Sequence, residues 1–367
     1  MKYRIHLLAL PNAQTTKEYG LCGFTQATIR FARILENLGH YVYLYASEEN
    51  EAPCDELIGC ITKEEQNSLL GMGPWEYQYA NIEEWSPLFQ LFNARAAAEI
   101  QKRKQPRDFI CQIGGYSQRY VSDRHPDLMT IEYSIGYLGS FSAYRVFESS
   151  AWMHATYAAQ NIQIGRFFDA VIPLFLDPDD FPFCKTPEDY YVYAGRLTVN
   201  KGVSIACQAA THAGVKLKLI GHGDRSLITG GHEYLGAVDN TLRNDVMAKA
   251  KAVFTPTMYV EPFGCTAIEA QMSGTPVIST NFGAFVETVE HGKTGYRCNY
   301  MGEFIDAIHQ APRLDRQYIR ARAILKYSLH SVKHDYQKYF DRLSLLWDDG
   351  WNTVSTKEVD VRRPVLC

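Results

Sequence analysis

No apolar run in this 367-residue chain approaches the ~20 residues that a membrane span needs, so integral membrane association is not expected. The start, Met1 to Leu10, is apolar but broken by Arg4 and His6 and closed by Pro11. It has no small-residue cleavage site and reads as a first strand rather than a secretion signal. No cysteine pair forms Cys-x-x-Cys, and the nine cysteines are scattered and odd in number. That spacing argues against a disulfide framework or a zinc site and for reduced thiols in a cytoplasmic protein. Gly-x-Gly-x-x-Gly is absent too. Gly221-His222-Gly223 fails because Ser226 stands where the third glycine would be, which counts against a dinucleotide enzyme. Neither charge dominates: 37 Lys and Arg against 41 Asp and Glu leave −4, so a polyanion would have to be met by a local patch. Internal repeats and low-complexity segments are also missing.

What is present is an ordinary globular composition, 46% hydrophobic and 21% charged, with 24 Tyr, 18 Phe and 5 Trp. At ~150 residues per domain the length favours two domains. Short β-rich runs alternate with helical periodicity, the βαβ logic of a doubly wound parallel sheet. In the first half, strands are expected at 3–10, 41–45, 109–113, 128–133 and 170–175, with helices at 25–38, 88–104 and 146–160. The stretch 48–87 reads as irregular. After a Pro- and Asp-rich connection the alternation restarts, with strands at 190–194, 216–220, 234–235, 252–256 and 276–279. Helices are expected there at 203–213, 241–250, 266–273 and 285–289, and 301–347 reads as almost wholly helical. The expected organisation is a first Rossmann-like domain over 1–175, a linker over 176–187 and a second Rossmann-like domain over 188–330. A helix over 331–349 would return to the first domain, and 350–367 would be a tail. Strand C-termini and helix N-termini of both domains would face a central cleft, where anionic ligands bind.

The densest constellation is Tyr259-Val260-Glu261-Pro262-Phe263-Gly264-Cys265-Thr266-Ala267-Ile268-Glu269. It follows an expected strand and runs into a helix, with Glu261 in the turn and Glu269 about two helical turns later. Gly264 lets backbone approach a ligand closely, and the N–H groups of Cys265 and Thr266 are helix-start donors that suit a phosphate. Two carboxylates beside them can accept hydrogen bonds from sugar hydroxyls. Taken singly, Glu261 is an ordinary turn acid and Glu269 a solvated helix residue; the whole string reads differently.

This string resembles the Glu-x7-Glu motif of the retaining, family-four glycosyltransferases of the GT-B fold. The resemblance extends through Ser273-Gly274-Thr275-Pro276-Val277-Ile278 and Gly292-Lys293-Thr294-Gly295-Tyr296. Upstream it takes in Tyr193-Ala194-Gly195-Arg196-Leu197, Asn200-Lys201-Gly202 and Ile220-Gly221-His222-Gly223, so it covers 190–297. It implies an α/β fold of two Rossmann-like domains facing a cleft, and a hexose transferase using a nucleotide-diphosphate sugar, with UDP-glucose as the reference donor. It implies that Arg196 and Lys201 neutralise the diphosphate, Glu269 holds the ribose, and Glu261 lies against the transferred sugar near its anomeric carbon. Backbone of Phe263, Gly264, Cys265 and Thr266 would cradle sugar and distal phosphate. The base would lie near Gly221 and the Gly236-Ala237-Val238 strand end, with Val238 the named contact. In the first domain Gly23, within Gly20-Leu21-Cys22-Gly23, would meet the phosphates. No cofactor or metal is implied, since Arg196, Lys201 and helix N-termini can carry the phosphate charge.

Members of that family often place a His in the first domain against the donor sugar. The loop Gly114-Gly115-Tyr116-Ser117-Gln118-Arg119 has none. Gln118 and His154 are the candidate sugar or acceptor contacts in its place, although a lone His on an apolar helix is more often a core residue. Asp177-Pro178-Asp179 matches the metal-holding Asp-x-Asp of another glycosyltransferase fold, but its place in the sequence favours a linker. Lys102-Arg103-Lys104 and the basic residues between Arg313 and Lys326 read as solvated helix faces or, more sharply, as a track for a nucleic-acid backbone. The segments 11–26 and 147–154 are similar to glycosyltransferases of tailed phages and environmental viruses. That similarity makes a 5-hydroxymethylated pyrimidine in DNA one acceptor candidate, in a host cytoplasm, beside a glycan, a lipid or a small molecule. A sugar-nucleotide epimerase of the same fold and a binding module without turnover are the other readings.

Overall fold

The computed structural model describes residues 1–19, 22–71 and 85–347. Seven parallel strands form the first sheet: β1 (Arg4–Leu8), β2 (Tyr41–Ser47), β3 (Glu56–Ile61), β4 (Phe109–Gln112), β5 (Met129–Ile135), β6 (Tyr144–Phe147) and β7 (Asp169–Val171). Their order is β3-β2-β1-β4-β5-β6-β7. Six more parallel strands form the second sheet: β8 (Tyr191–Ala194), β9 (Leu217–Ile220), β10 (Glu233–Gly236), β11 (Val253–Thr255), β12 (Val277–Thr280) and β13 (Gly295–Cys298). Here the order is β10-β9-β8-β11-β12-β13. In each sheet the winding reverses beside the first strand, between β1 and β4 and between β8 and β11. Such switch points open a crevice at the strand C-termini. The architecture is therefore two parallel-sheet, Rossmann-like α/β domains.

Several expectations need correction. The stretch 48–87 is not wholly irregular: it contains β3 and the helix Lys63–Leu70, started by a capping box of Thr62 and Glu65. Residues 72–84 of that stretch lie outside the described residues, as do Gly20, Leu21 and the tail from 348. The helix expected over 146–160 is divided. Tyr144, Val146 and Phe147 belong to β6, where strand-forming side chains pack between β5 and β7. The helix Ser150–Ala159 begins only after Ser149 caps it. Strand β13 had no counterpart in the sequence reading, being four residues that begin with glycine. The C-terminal helical stretch is three helices, Met301–Gln310, Arg316–Tyr327 and Leu329–Ser344, with one short 3-10 turn after the first and another after the third.

The last of these helices lies on the first domain. Tyr336 rests against Phe31 with ring centroids 4.9 Å apart, Lys333 donates to Asn37 at 2.7 Å, and Asp341 accepts from the Tyr3 hydroxyl at 2.7 Å. The connection between the domains is held by arginines that the sequence also offered as a polyanion track. Arg320 donates to the carbonyls of Phe181 and Pro178, and buried Arg316 donates to those of Cys184 and Ala250 and to Thr275. Arg322 and Lys326 both pair with Glu290. The other basic cluster is likewise neutralised, Lys102 and Arg103 by Glu99 and Lys104 by Asp127. Asp177 caps the turn Pro178–Asp180 and stands 3.9 Å from Arg33, so the Asp-x-Asp string is used in the connection.

Near the edge of the first sheet, Arg145 and Asp169 pair at 2.6 Å with both side chains at most 1% exposed. Truncating one partner strands the other as a buried charge. Asp169→Ala is expected to cost about 3–5 kcal/mol in urea unfolding. An unchanged midpoint would mean that water reaches Arg145.

Candidate functional site

The second domain assembles its site from loops at the C-terminal ends of β8, β9 and β11. The loops after β8 and β9 are stitched together by backbone: Gly195 N–H donates to Ile220 O, Leu197 N–H to His222 O, and Asp224 N–H to Leu197 O. The Tyr193 hydroxyl donates to Arg196 O at 2.7 Å and folds the loop back on its strand. This leaves the Arg196 side chain exposed above the sheet. Gly221 closes the stitch with φ at 140°. A Cβ there would lie 1.9 Å from Gly195 O, so no side chain fits. Gly221 N–H also donates to Gly236 O at 3.0 Å, which joins Gly221 to the strand end leading to half-buried Val238.

The loop after β11 brings in Glu261, and the structure unites it with Lys201. The Lys201 ammonium donates to Glu261 Oε2 at 2.7 Å and sits 4.9 Å from the centroid of the Tyr259 ring. Burial pulls the ammonium down, but Glu261 and Tyr259 outweigh it, and the Lys201 pKa ends above its ordinary value. Lys201 therefore stays charged through the neutral range. The helix Cys265–Met272 starts from Gly264, whose φ of 80° turns the chain without a side-chain cap. A Cβ on Gly264 would meet the Phe285 ring at 2.7 Å. The N–H groups of Cys265 and Thr266 are the first donors of this helix and have no intrahelical acceptor. Burial pushes the Cys265 thiol up to about 12, so it stays protonated and is no nucleophile at neutral pH. Phe263 points its ring into the core, 5.8 Å edge-on from Tyr327, so only its backbone can face a ligand.

Glu269 is 7% exposed and pairs at 2.7 Å with Arg243, from the helix Asn240–Lys249. Arg243 carried no signal in the sequence, since a single arginine on a polar helix has no pattern of its own. The two domains also meet here. The Ser149 hydroxyl donates to Pro262 O at 2.6 Å, and Glu287 accepts from the N–H groups of Ser150 and Ala151 at 3.0 and 2.8 Å. A carboxylate of the second domain thus caps a helix of the first. Glu148, just before that cap, is buried beside the seam and was not among the expected site residues.

First-domain expectations fare unevenly. Gly23 opens the helix Gly23–Leu38 as an exposed residue after Cys22, which gives no side-chain cap. Gln118 is not a free contact. Fully buried, it accepts from the N–H groups of Ile113 and Gly114 and donates to Ala9 O at 2.8 Å, so its amide is spent on holding the β1 and β4 ends together. His154 is an exposed helix residue set edge-on to Tyr157 rather than the core residue of the bland reading, and it takes no part in the group around Glu261.

Gly221→Ala is expected to lose about 2–4 kcal/mol, read as a fall in the thermal unfolding midpoint, because backbone must move to admit the methyl. A variant as stable as the parent would contradict the stitched loops.

Residues 188–311 match the family model described as glycosyl transferases group 1. Among curated proteins, glycogen synthase of Mycobacterium tuberculosis is 31% identical over 166 residues, 38% of this chain and 40% of that relative. The chain thus spans about two fifths of the length of that relative. Among solved structures, sucrose-phosphate synthase from Thermosynechococcus elongatus superposes with a TM-score of 0.69 at 16% identity, over 94% of this chain and 99% of that one. Anabaena HepE in complex with UDP-glucose superposes with a TM-score of 0.63 at 17% identity, over 93% and 99%. The second domain carries the glycosyl transferases group 1 pattern, and the whole has the two-domain GT-B fold.

Proposed function

We propose that this chain is a retaining glycosyltransferase that moves a hexose, with glucose as the reference sugar, from a nucleotide-diphosphate sugar to an acceptor hydroxyl. The observation that carries this reading is the gathering of Lys201, Glu261, Arg196 and the start of helix Cys265–Met272 at one sheet end. Cations and helix-start donors suit a diphosphate, and carboxylates suit sugar hydroxyls. Such a set has the positive charge to carry a leaving diphosphate without a metal. In the proposed reaction the bond from the anomeric carbon to the diphosphate oxygen breaks. The acceptor oxygen bonds to that carbon from the same face, and the acceptor proton passes to the departing phosphate. Domain closure would exclude water from this step. UDP is the proposed nucleotide, in keeping with the UDP-glucose complex of HepE.

For the acceptor, the first-domain similarity favours a 5-hydroxymethylated pyrimidine in DNA. The pairing of Lys102, Arg103 and Lys104 with acids weighs toward the second reading, a glycan, lipid or small molecule. Incubation with UDP-sugars and DNA carrying 5-hydroxymethylcytosine or plain cytosine, then nucleoside mass spectrometry, separates the two. A hexose gain on the modified base alone supports DNA. Nucleoside diphosphate release without that gain moves the acceptor to the second group. Interconversion of the donor without any acceptor would instead mark an epimerase, and donor affinity without turnover a binding module.

Arg196→Ala is expected to lower turnover at saturating donor by about 10²–10³, the loss seen when one stabiliser of developing negative charge is removed. Full turnover in that variant would remove Arg196 from the mechanism.

A further inference from the structure

The first domain treats its buried acids alike, with one exception. Glu132 accepts from the N–H groups of Phe141 and Ser142 and from the Tyr137 hydroxyl, Asp169 holds Arg145, and Asp108 holds Arg4 and His6. Glu148 is buried too, but at 9% exposure against 0% for Glu132 and 2% for Asp108, and its carboxyl makes no hydrogen bond or ion pair among the described residues. An unpartnered carboxyl withdrawn from water calls for an explanation, and a functional role is one.

Its position says what kind of ligand. Glu148 follows β6 at the strand C-terminus, on the cleft side of the sheet. A Cβ built on Gly136, after β5, would stand 3.0 Å from Glu148 Oε2 and 3.3 Å from Pro262 Cβ. The neighbouring Ser149 is pinned to Pro262 O. The carboxyl therefore lies against the residue that follows Glu261 in the second domain. Two acids then border one gap, and the cation nearest Glu261, Lys201, is already engaged with it. A phosphate is disfavoured between the two acids and belongs on the cationic side, with Arg196, Lys201 and the Cys265 helix start. An uncharged polyhydroxyl unit, able to donate to both carboxyls, fits.

We propose that Glu148 is the first domain's contact to the transferred sugar, hydrogen-bonding hydroxyls of that ring opposite Glu261. This rests on the nucleotide-sugar reading given above and names the group that completes the sugar subsite. The charged and titratable groups facing Glu148 are Glu261 from the loop after β11, Arg30 from the first helix, Cys265, and Tyr336 from the last helix. Burial first, and then Glu261, raise its pKa to about 8, with Arg30 opposing. At neutral pH the group is a carboxylic acid, able both to donate to a sugar oxygen and to accept from a hydroxyl. As pH rises through that value it ionises beside Glu261 and loses its donor.

The test is equilibrium titration of the full chain with UDP-glucose, UDP-galactose, UDP-N-acetylglucosamine and GDP-mannose, each against its bare diphosphate. For the donor bound tightest, the affinity gained from the sugar is expected to fall about tenfold between about pH 7 and about pH 9. Glu148→Gln keeps a donor and an acceptor, so it should hold the neutral-pH gain within a few-fold and abolish the alkaline fall. Glu148→Ala should lose about tenfold of the sugar's gain while binding the bare diphosphate like the parent, which also reports that it is folded. Both variants binding the nucleotide sugar like the parent, with the alkaline fall intact, would overturn the assignment. A parent chain that binds neither diphosphates nor nucleotide sugars would instead overturn the donor reading beneath it.

Discussion

A carboxylate placed at the floor of a cleft has to be compensated, and much of this site follows from how Glu261 is. Lys201 reaches it from the loop after β8, across sixty positions of sequence, and both side chains are largely withdrawn from solvent. The pair can form only because the loops after β8 and β11 meet, where Met258 N–H donates to Asn200 O, and the loop after β8 is in turn tied by backbone to the loop after β9. Gly221 makes that tie possible by offering no Cβ at the crossing point. A charge pair of this kind is a modest source of stability. Its use is in position: it holds a carboxylate beside a helix start, at the sheet end where Arg196 stands exposed.

Glu269 repeats the logic one helix further on, with Arg243 as its compensating partner. The seam between the domains applies it a third time. There, Glu287 satisfies the first donors of helix Ser150–Ala159, so a carboxylate of one domain orders the cleft edge of the other. Phe263, one residue beyond the Pro262 contact, is buried in the core that includes Tyr327 and first-domain aromatics such as Phe31 and Tyr133. Cleft and core are thus built from alternate residues of the same short loop.

How much of this could be read from sequence depends on whether partners lie close along the chain. Glu261, Gly264, Cys265 and Glu269 fall in one string whose spacing mirrors a strand, a turn and two turns of helix, and the two sheets follow from βαβ alternation. Arg243, Glu287 and Glu148 were not legible. Each is a single charged residue whose meaning comes from a group 26, 136 or 114 positions away by residue number, and only the fold supplies that neighbour. Gln118 misled for the opposite reason: its loop is in the expected place, but the amide is consumed by backbone donors that any polar side chain there would meet. Strands β3, β6 and β13 were missed because short buried strands carry no alternation to separate them from helix or loop.

Whether the cleft breaks the bond between a sugar and its nucleotide diphosphate, as proposed above, can be read by phosphorus NMR. The full chain would be incubated for hours with UDP-glucose, and separately with other nucleotide sugars, with water as the acceptor of last resort. Slow appearance of the nucleoside diphosphate resonances from one donor is expected, with no sugar phosphate. Formation of nucleoside monophosphate and sugar phosphate would show the pyrophosphate bond being cut and contradict it, as would donors that stay intact and unbound.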